Sequence, residues 1–143
     1  MRYLPWALLA LAAYSAVAPL MSAATTGASR IPSPVAALAS NAILVAGSAL
    51  VVAYVGYDLD EYLTLSHPKL PLVVAAGLFL TVGILAYYRA LSLGPVSVVT
   101  PVFGLFLVVS SAVGIVALDE PLTARKVVGI ALAIVAVYLV SVE

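Results

Sequence analysis

The sequence has no cysteine, one histidine, one tryptophan and only 8% charged residues among its 143. The missing thiols exclude disulfides, thiolate nucleophiles and thiolate metal ligands together, and they leave the redox compartment open. The lone histidine, His67, precedes Pro68 and Lys69 in a polar gap, where a solvated loop residue accounts for it and no ligand set forms around it. Six basic and six acidic residues cancel, and no basic run is long enough to follow a phosphate backbone. Nucleic acid is therefore not an expected partner. No apolar run contains an acidic residue, so the membrane carboxylate used by many proton-coupled pumps is missing. Neither a serine–histidine–acid set nor a catalytic carboxylate pair can be assembled, because His67 and five of the six acids lie in two gaps, with Glu143 at the end. The sequence reads as a non-enzyme, and nothing in it calls for a cofactor or a metal.

What is present is apolar. The chain is 65% hydrophobic with a mean hydropathy of +1.24, whereas soluble domains carry about a quarter charged residues. Five apolar runs, beginning at Leu4, Val35, Leu70, Val96 and Val127, fill most of it. A hydrocarbon core about 30 Å thick needs roughly 20 apolar residues in a helix, and the runs approach that length, the last being the shortest. The pattern predicts an all-α integral membrane protein with five transmembrane helices over residues 4–24, 35–57, 70–91, 96–118 and 125–142. The gaps are too short for an aqueous core, so residues 1–143 read as one membrane domain in contact with lipid.

Local signals mark the helix ends. Met1-Arg2, the first apolar run and Met21-Ser22-Ala23-Ala24 also fit a signal peptide, but the run from Leu4 to Ala24 exceeds the roughly 7–15 residues of a signal core, and Trp6 suits an interfacial anchor. Pro19 is expected to free the carbonyl of Ser15 and bend the first helix. Ser33-Pro34 predicts a start for the second, with serine as N-cap and proline at the first helical position. Leu70-Pro71 opens the third, and its end at Tyr87-Tyr88-Arg89 suits the headgroup level. Pro101 lies one turn into the fourth helix, which stops at Asp119-Glu120-Pro121, and Arg125-Lys126 lead the fifth.

With helices alternating in direction, one side of the membrane receives Arg2, Lys69, Arg125 and Lys126, and the other receives Arg30 and Arg89. Four cations against two predict a cytoplasmic N-terminus in a multi-pass protein of the cell (plasma or inner) membrane, with a bias slight enough to allow both orientations.

The candidate site residues are polar and small groups at helical spacing. Ser97, Thr100, Gly104, Ser111 and Gly114 share one stripe of the fourth helix. A cavity wall has this pattern, and so does a close helix contact with hydroxyls bonded back to their own turn. Pro101 leaves the carbonyl of Ser97 without its donor, which is tolerated at membrane depth beside protein or a wet cavity. Asn41 and Ser48 share a face of the second helix, where interhelical hydrogen bonding is the commoner use of the amide. Gly77, Thr81 and Tyr88 share a face of the third, and Tyr14 lies mid-depth in the first with a hydroxyl needing a partner. Substrate contacts are accordingly expected at Tyr14, Asn41, Thr81, Tyr88, Ser97, Thr100 and Ser111, with bends at Pro19 and Pro101. Gly129, Ala133 and Ala136 or Val137 on the fifth helix read as a packing or dimer face. Arg89 reads as an interfacial cation, or as an attractor of anionic substrate.

The run Tyr87-Tyr88-Arg89-Ala90-Leu91-Ser92-Leu93-Gly94-Pro95-Val96-Ser97-Val98-Val99-Thr100-Pro101, then Leu118-Asp119-Glu120-Pro121-Leu122-Thr123 and Gly129-Ile130-Ala131-Leu132, resembles the EamA-type repeat of the drug/metabolite transporter superfamily. That repeat pairs a Tyr-x-x-Ala-Leu turn and a Gly-Pro-x-Ser-x-Val-x-Pro helix start with a Gly-Glu-x-Leu turn and a glycine-bearing last helix. The close match covers about half the chain. Asp119 stands where the family turn usually has glycine, and Ala136-Val137 where Gly-Val is common. Of the candidate residues, Tyr88, Ser97, Thr100 and Pro101 lie within the matching run, and the resemblance carries over to them by position.

Most members of that family resemble two such repeats in tandem, with substrate held between halves of opposite orientation. One repeat here implies a ten-helix homodimer, parallel or antiparallel, in which one unit rocks against the other to move a small organic solute: a metabolite, amino acid or drug-like molecule. The rival readings are a non-transporting structural or accessory membrane subunit, and a four-helix multidrug exporter. The last needs a carboxylate in its first helix, and this first helix has none.

Overall fold

A computed structural model describes residues 3–142, and those residues contain helices and no strand. Arg2, counted in the charge bias, and the terminal Glu143 lie outside the described residues. The helices are α1 (Leu4–Ser15), α2 (Val17–Thr25), α3 (Ser33–Val55), α4 (Leu59–Tyr62), α5 (Leu70–Leu91), α6 (Val96–Gly104), α7 (Phe106–Ala117) and α8 (Ala124–Ser141). Five stretches have spanning length and composition: Leu4–Thr25 (22 residues), Ser33–Val55 (23), Leu70–Leu91 (22), Val96–Ala117 (22) and Ala124–Ser141 (18). At about 1.5 Å per residue these cover roughly 27–35 Å, the thickness of the hydrocarbon layer. The chain is an all-helical membrane protein.

Two spans are interrupted by one residue each. The break after Ser15 falls where Pro19 lacks the N–H that would bond the Ser15 carbonyl, and Ala16 instead donates to Ala13 O at 3.4 Å. In the fourth span the helix runs through Pro101 and breaks at Leu105, one turn further on and just after Gly104. There the Leu105 amide donates to Val102 O at 3.2 Å, tightening the turn, and the rings of Phe103 and Phe106 pack at 4.9 Å across the break. The sequence predicts this span as one helix, and the structure divides it.

The helix ends follow local chemistry. α3 begins at Ser33 itself, with Pro32 in the N-cap position at φ −54°, ψ 135°. The expectation that Ser33 is the cap is thus corrected: Pro32 supplies the extended backbone that starts the helix, and the Ser33 hydroxyl makes no cap bond. At its far end α3 stops at Gly56, whose φ of 82° is left-handed, and the amides of Gly56 and Tyr57 both donate to Val52 O. This is a glycine-terminated helix end two residues short of the predicted one. The following loop holds the single turn α4, capped by Asp58 Oδ1 accepting from the Asp60 amide at 2.9 Å. In the same loop His67 Nδ1 accepts from the Lys69 amide at 3.2 Å, a local turn bond. Thr123 caps α8, its Oγ1 accepting from the Lys126 amide at 3.3 Å.

The chain divides into two compact units, residues 1–19 with 93–143, and residues 20–92. In the second unit α3 packs on α5. Its buried residues gather at one end: Thr25, Ser33, Ala36, Ala37, Tyr87, Tyr88 and Leu91. Alanines on α3 let the helix backbones approach, which in lipid replaces the hydrophobic drive as the source of packing. Tyr87 and Tyr88 are 8% and 5% exposed, with rings 6.0 Å apart. The sequence places this aromatic pair at the end of the third span, and there the structure packs it inside the unit. In the first unit α6 packs on α7 and α8, and α7 on α8. Most large apolar side chains elsewhere face outward, Tyr54, Phe79 and Val116 among them, as lipid-facing surfaces do.

Candidate functional site

The first unit holds a groove of about 540 Å³ between α7 and α8. Its α7 wall carries Ser110, Ser111 and Gly114, and its α8 wall carries Gly129, Ile130 and Ala133. Small residues on both walls create the space: adding a side-chain carbon to Gly129 would meet nothing within 4 Å. Gly129 and Ala133, which the sequence suggests as a packing or dimer face, here line the groove.

One end of the groove is charged. Glu120 and Lys126 line it, joined by an ion pair of 3.1 Å between Lys126 Nζ and Glu120 Oε2. Glu120 is held against the last turn of α7, because its amide donates to Gly114 O at 3.3 Å and a Cβ on Gly114 would lie 3.3 Å from Glu120 Oε1. The carboxylate thus occupies the position that the absent side chain leaves open. Both side chains of the pair are about half exposed, 40% and 53%, and such a pair contributes roughly 0–1 kcal/mol. Separating it costs little, so either charge is free to take a different partner. In the sequence Lys126 reads only as a helix boundary, and Glu120 as a member of the family turn with no role in a site. The signal that finds them is the pairing of the family turn with a small residue six positions earlier.

The predicted substrate contacts scatter. Of the seven, Ser111 lines the groove, and its hydroxyl donates to Leu107 O at 2.8 Å. Donation back to the helix leaves the oxygen lone pairs for a solute donor. Ser97 and Thr100 lie on α6, before the break at Leu105, and do not line the groove. The single stripe read from the sequence is cut there, so Gly114 and Ser111 line the groove without the α6 members. Tyr14, on α1, is 70% exposed. In the second unit Asn41 Nδ2 donates to Ala37 O and Thr81 Oγ1 to Gly77 O, each at 2.8 Å within its own helix. The sequence suggests interhelical bonding for Asn41, and the structure shows the amide returned to the preceding turn. Tyr88 is buried beside Tyr87.

The turn that carries Glu120 has a further feature. Asp119, at φ 54°, is the one non-glycine residue with positive φ among those described. That is the left-handed region in which glycine is at no disadvantage. Asp119 thus holds a backbone conformation open to glycine at the position where the family pattern usually has glycine. Residues 1–142 match the profile of the EamA-like transporter family. The chain belongs to that family. Membership covers the first two spans as well as the last three, whereas the sequence motifs alone carry the resemblance over about half the chain. No curated protein and no solved structure gives a match. This EamA-like chain is thus a membrane protein of the drug/metabolite transporter superfamily, a superfamily of solute transporters rather than of enzymes.

Proposed function

We propose that this EamA-like protein is a transporter subunit that moves a small organic solute, such as an amino acid, metabolite or drug-like molecule, across the cell membrane by alternating access as a homodimer. The observation that carries the reading is the family match over residues 1–142. The groove between α7 and α8 supports it with chemistry suited to such a solute. Its walls are apolar with two serines, and a separable carboxylate–ammonium pair lies at one end. A solute amine can take the place of Lys126 on Glu120, and a solute carboxylate the place of Glu120 on Lys126. Pairing is supported by the outward-facing apolar side chains, which lipid or a second copy would cover. Two copies supply ten spans, the number on which a central path between repeats depends. Pro19 and Pro101 are the proposed bends, the N-terminus lies in the cytoplasm, and one copy rocks against the other.

The reading is tested in proteoliposomes loaded with labelled amino acids or a fluorescent cationic dye. Ser111→Val should lower flux at least fivefold with insertion and dimerisation retained. Thr100→Val should lower it less, because Thr100 lies outside the groove. Unchanged flux in both returns these residues to packing, and absence of any flux with intact dimers favours an accessory subunit.

A further inference from the structure

The second unit contains a separate small cavity of about 160 Å³, lined by Thr25, Arg30, Pro32, Ser33, Pro34, Arg89 and Ser92. Two arginines therefore converge on one polar space. Among the described residues neither forms an ion pair. Their own unit cannot neutralise them: its acids, Asp58, Asp60 and Glu61, lie in the loop at the opposite end of α3 and α5. The 23 residues of α3 put those acids roughly 35 Å away, several times the screening length of about 8–10 Å at physiological salt.

Two further features favour an anion. The cavity lies at the N-terminus of α3, where the helix dipole presents partial positive charge. Ser33, the first residue of that helix, is 7% exposed, lines the cavity, and its hydroxyl makes no hydrogen bond among the described residues. Since no side-chain atom sealed from solvent lacks a partner among the described residues, the Ser33 oxygen opens to the cavity. By contrast, the hydroxyls of Thr25 and Ser92 donate to Met21 O and Arg89 O, so Ser33 holds the uncommitted side-chain donor. Residues from the ends of the first and third spans and the start of the second line the cavity, positions expected near a membrane surface.

We propose that Arg30, Arg89 and Ser33 form a binding site for a phosphate-class anion, with the guanidinium forks gripping its oxygens and the Ser33 hydroxyl donating a third bond. The size and depth of the site suit a lipid phosphate headgroup or free inorganic phosphate. The proposal is independent of the α7/α8 groove and of transport.

The test uses the full chain in phosphatidylcholine nanodiscs, with unfolding temperature read at constant ionic strength. One arm titrates inorganic phosphate against chloride, and the other replaces part of the phosphatidylcholine with phosphatidylglycerol. A saturable rise with phosphate identifies a free anion, and a rise with phosphatidylglycerol alone identifies a lipid headgroup. In either case Arg30→Gln and Arg89→Gln should weaken the apparent affinity at least tenfold, and Ser33→Ala to a lesser degree. If the glutamine variants do not insert, Arg30→Lys and Arg89→Lys decide, since they keep the charge without the fork and should weaken binding at least threefold. No rise with either probe, or equal rises in wild type and variants, overturns the site.

Discussion

Asp119 adopts a backbone conformation that a side chain disfavours, with φ at 54° between the end of α7 and Glu120. A left-handed non-glycine residue costs roughly 1–2 kcal/mol, less for aspartate, whose short polar side chain is tolerated there. Asp119→Gly should therefore be neutral or stabilising by up to about 1 kcal/mol, and Asp119→Val destabilising by about 1–2 kcal/mol, as measured by thermal unfolding in detergent. A valine variant as stable as wild type would mean that the turn relaxes to another shape. At this scale the sequence was legible where a residue acts on its own turn. Pro19 marks the interruption after Ser15, whereas the departure at Asp119 carried no backbone reading until its positive φ was seen. The sequence was not legible where a polar side chain chooses between its own helix and a neighbour. Asn41, Thr81 and Ser111 all reach the carbonyl four residues back, and nothing in their spacing distinguishes that from a cross-helix bond.

Helices, as elements, were legible from apolar length alone, because each span must satisfy its backbone internally in lipid. What spacing did not reveal was register past an irregular turn. The single residue Leu105, whose amide turns back to Val102 O, separates the α6 half of the small-residue stripe from the α7 half, so the groove is formed by α7 with α8. Gly114 is the element-scale test of that groove. Its missing side chain seats the Glu120 carboxylate, 3.3 Å from where a Cβ would stand. Gly114→Ala needs only a small shift of a flexible side chain and should be tolerated. Gly114→Leu should push Glu120 away from Lys126, fill part of the groove and abolish flux while the protein still inserts. Wild-type flux in the leucine variant would show that solute does not pass between these helices.

For the whole molecule, charge placement and the proposed anion site bear on each other. Alternating spans put Arg30 and Arg89 on the side that receives two cations, against four on the side of Lys69, Arg125 and Lys126 with Arg2. Those two are the arginines that line the 160 Å³ cavity. Residues that weaken the positive-inside bias are thus the ones with a separate use, and without them the count would be four to none. The bias as it stands predicts the N-terminus inside. Because the chain has no cysteine, Ser29→Cys in the first gap and Ser66→Cys in the second can report orientation with an impermeant maleimide on intact cells. Both positions are exposed and neither is an arginine of the cavity. Labelling at Ser29→Cys with protection at Ser66→Cys is the expected result, and it makes a homodimer parallel. Equal labelling at both means that the chain inserts both ways, which an antiparallel pair requires. In that case adding Arg30→Gln and Arg89→Gln to the Ser66→Cys chain should restore protection, because the bias then runs entirely one way. Persistent labelling at Ser66 after that change would show that orientation in this protein is not set by its cations.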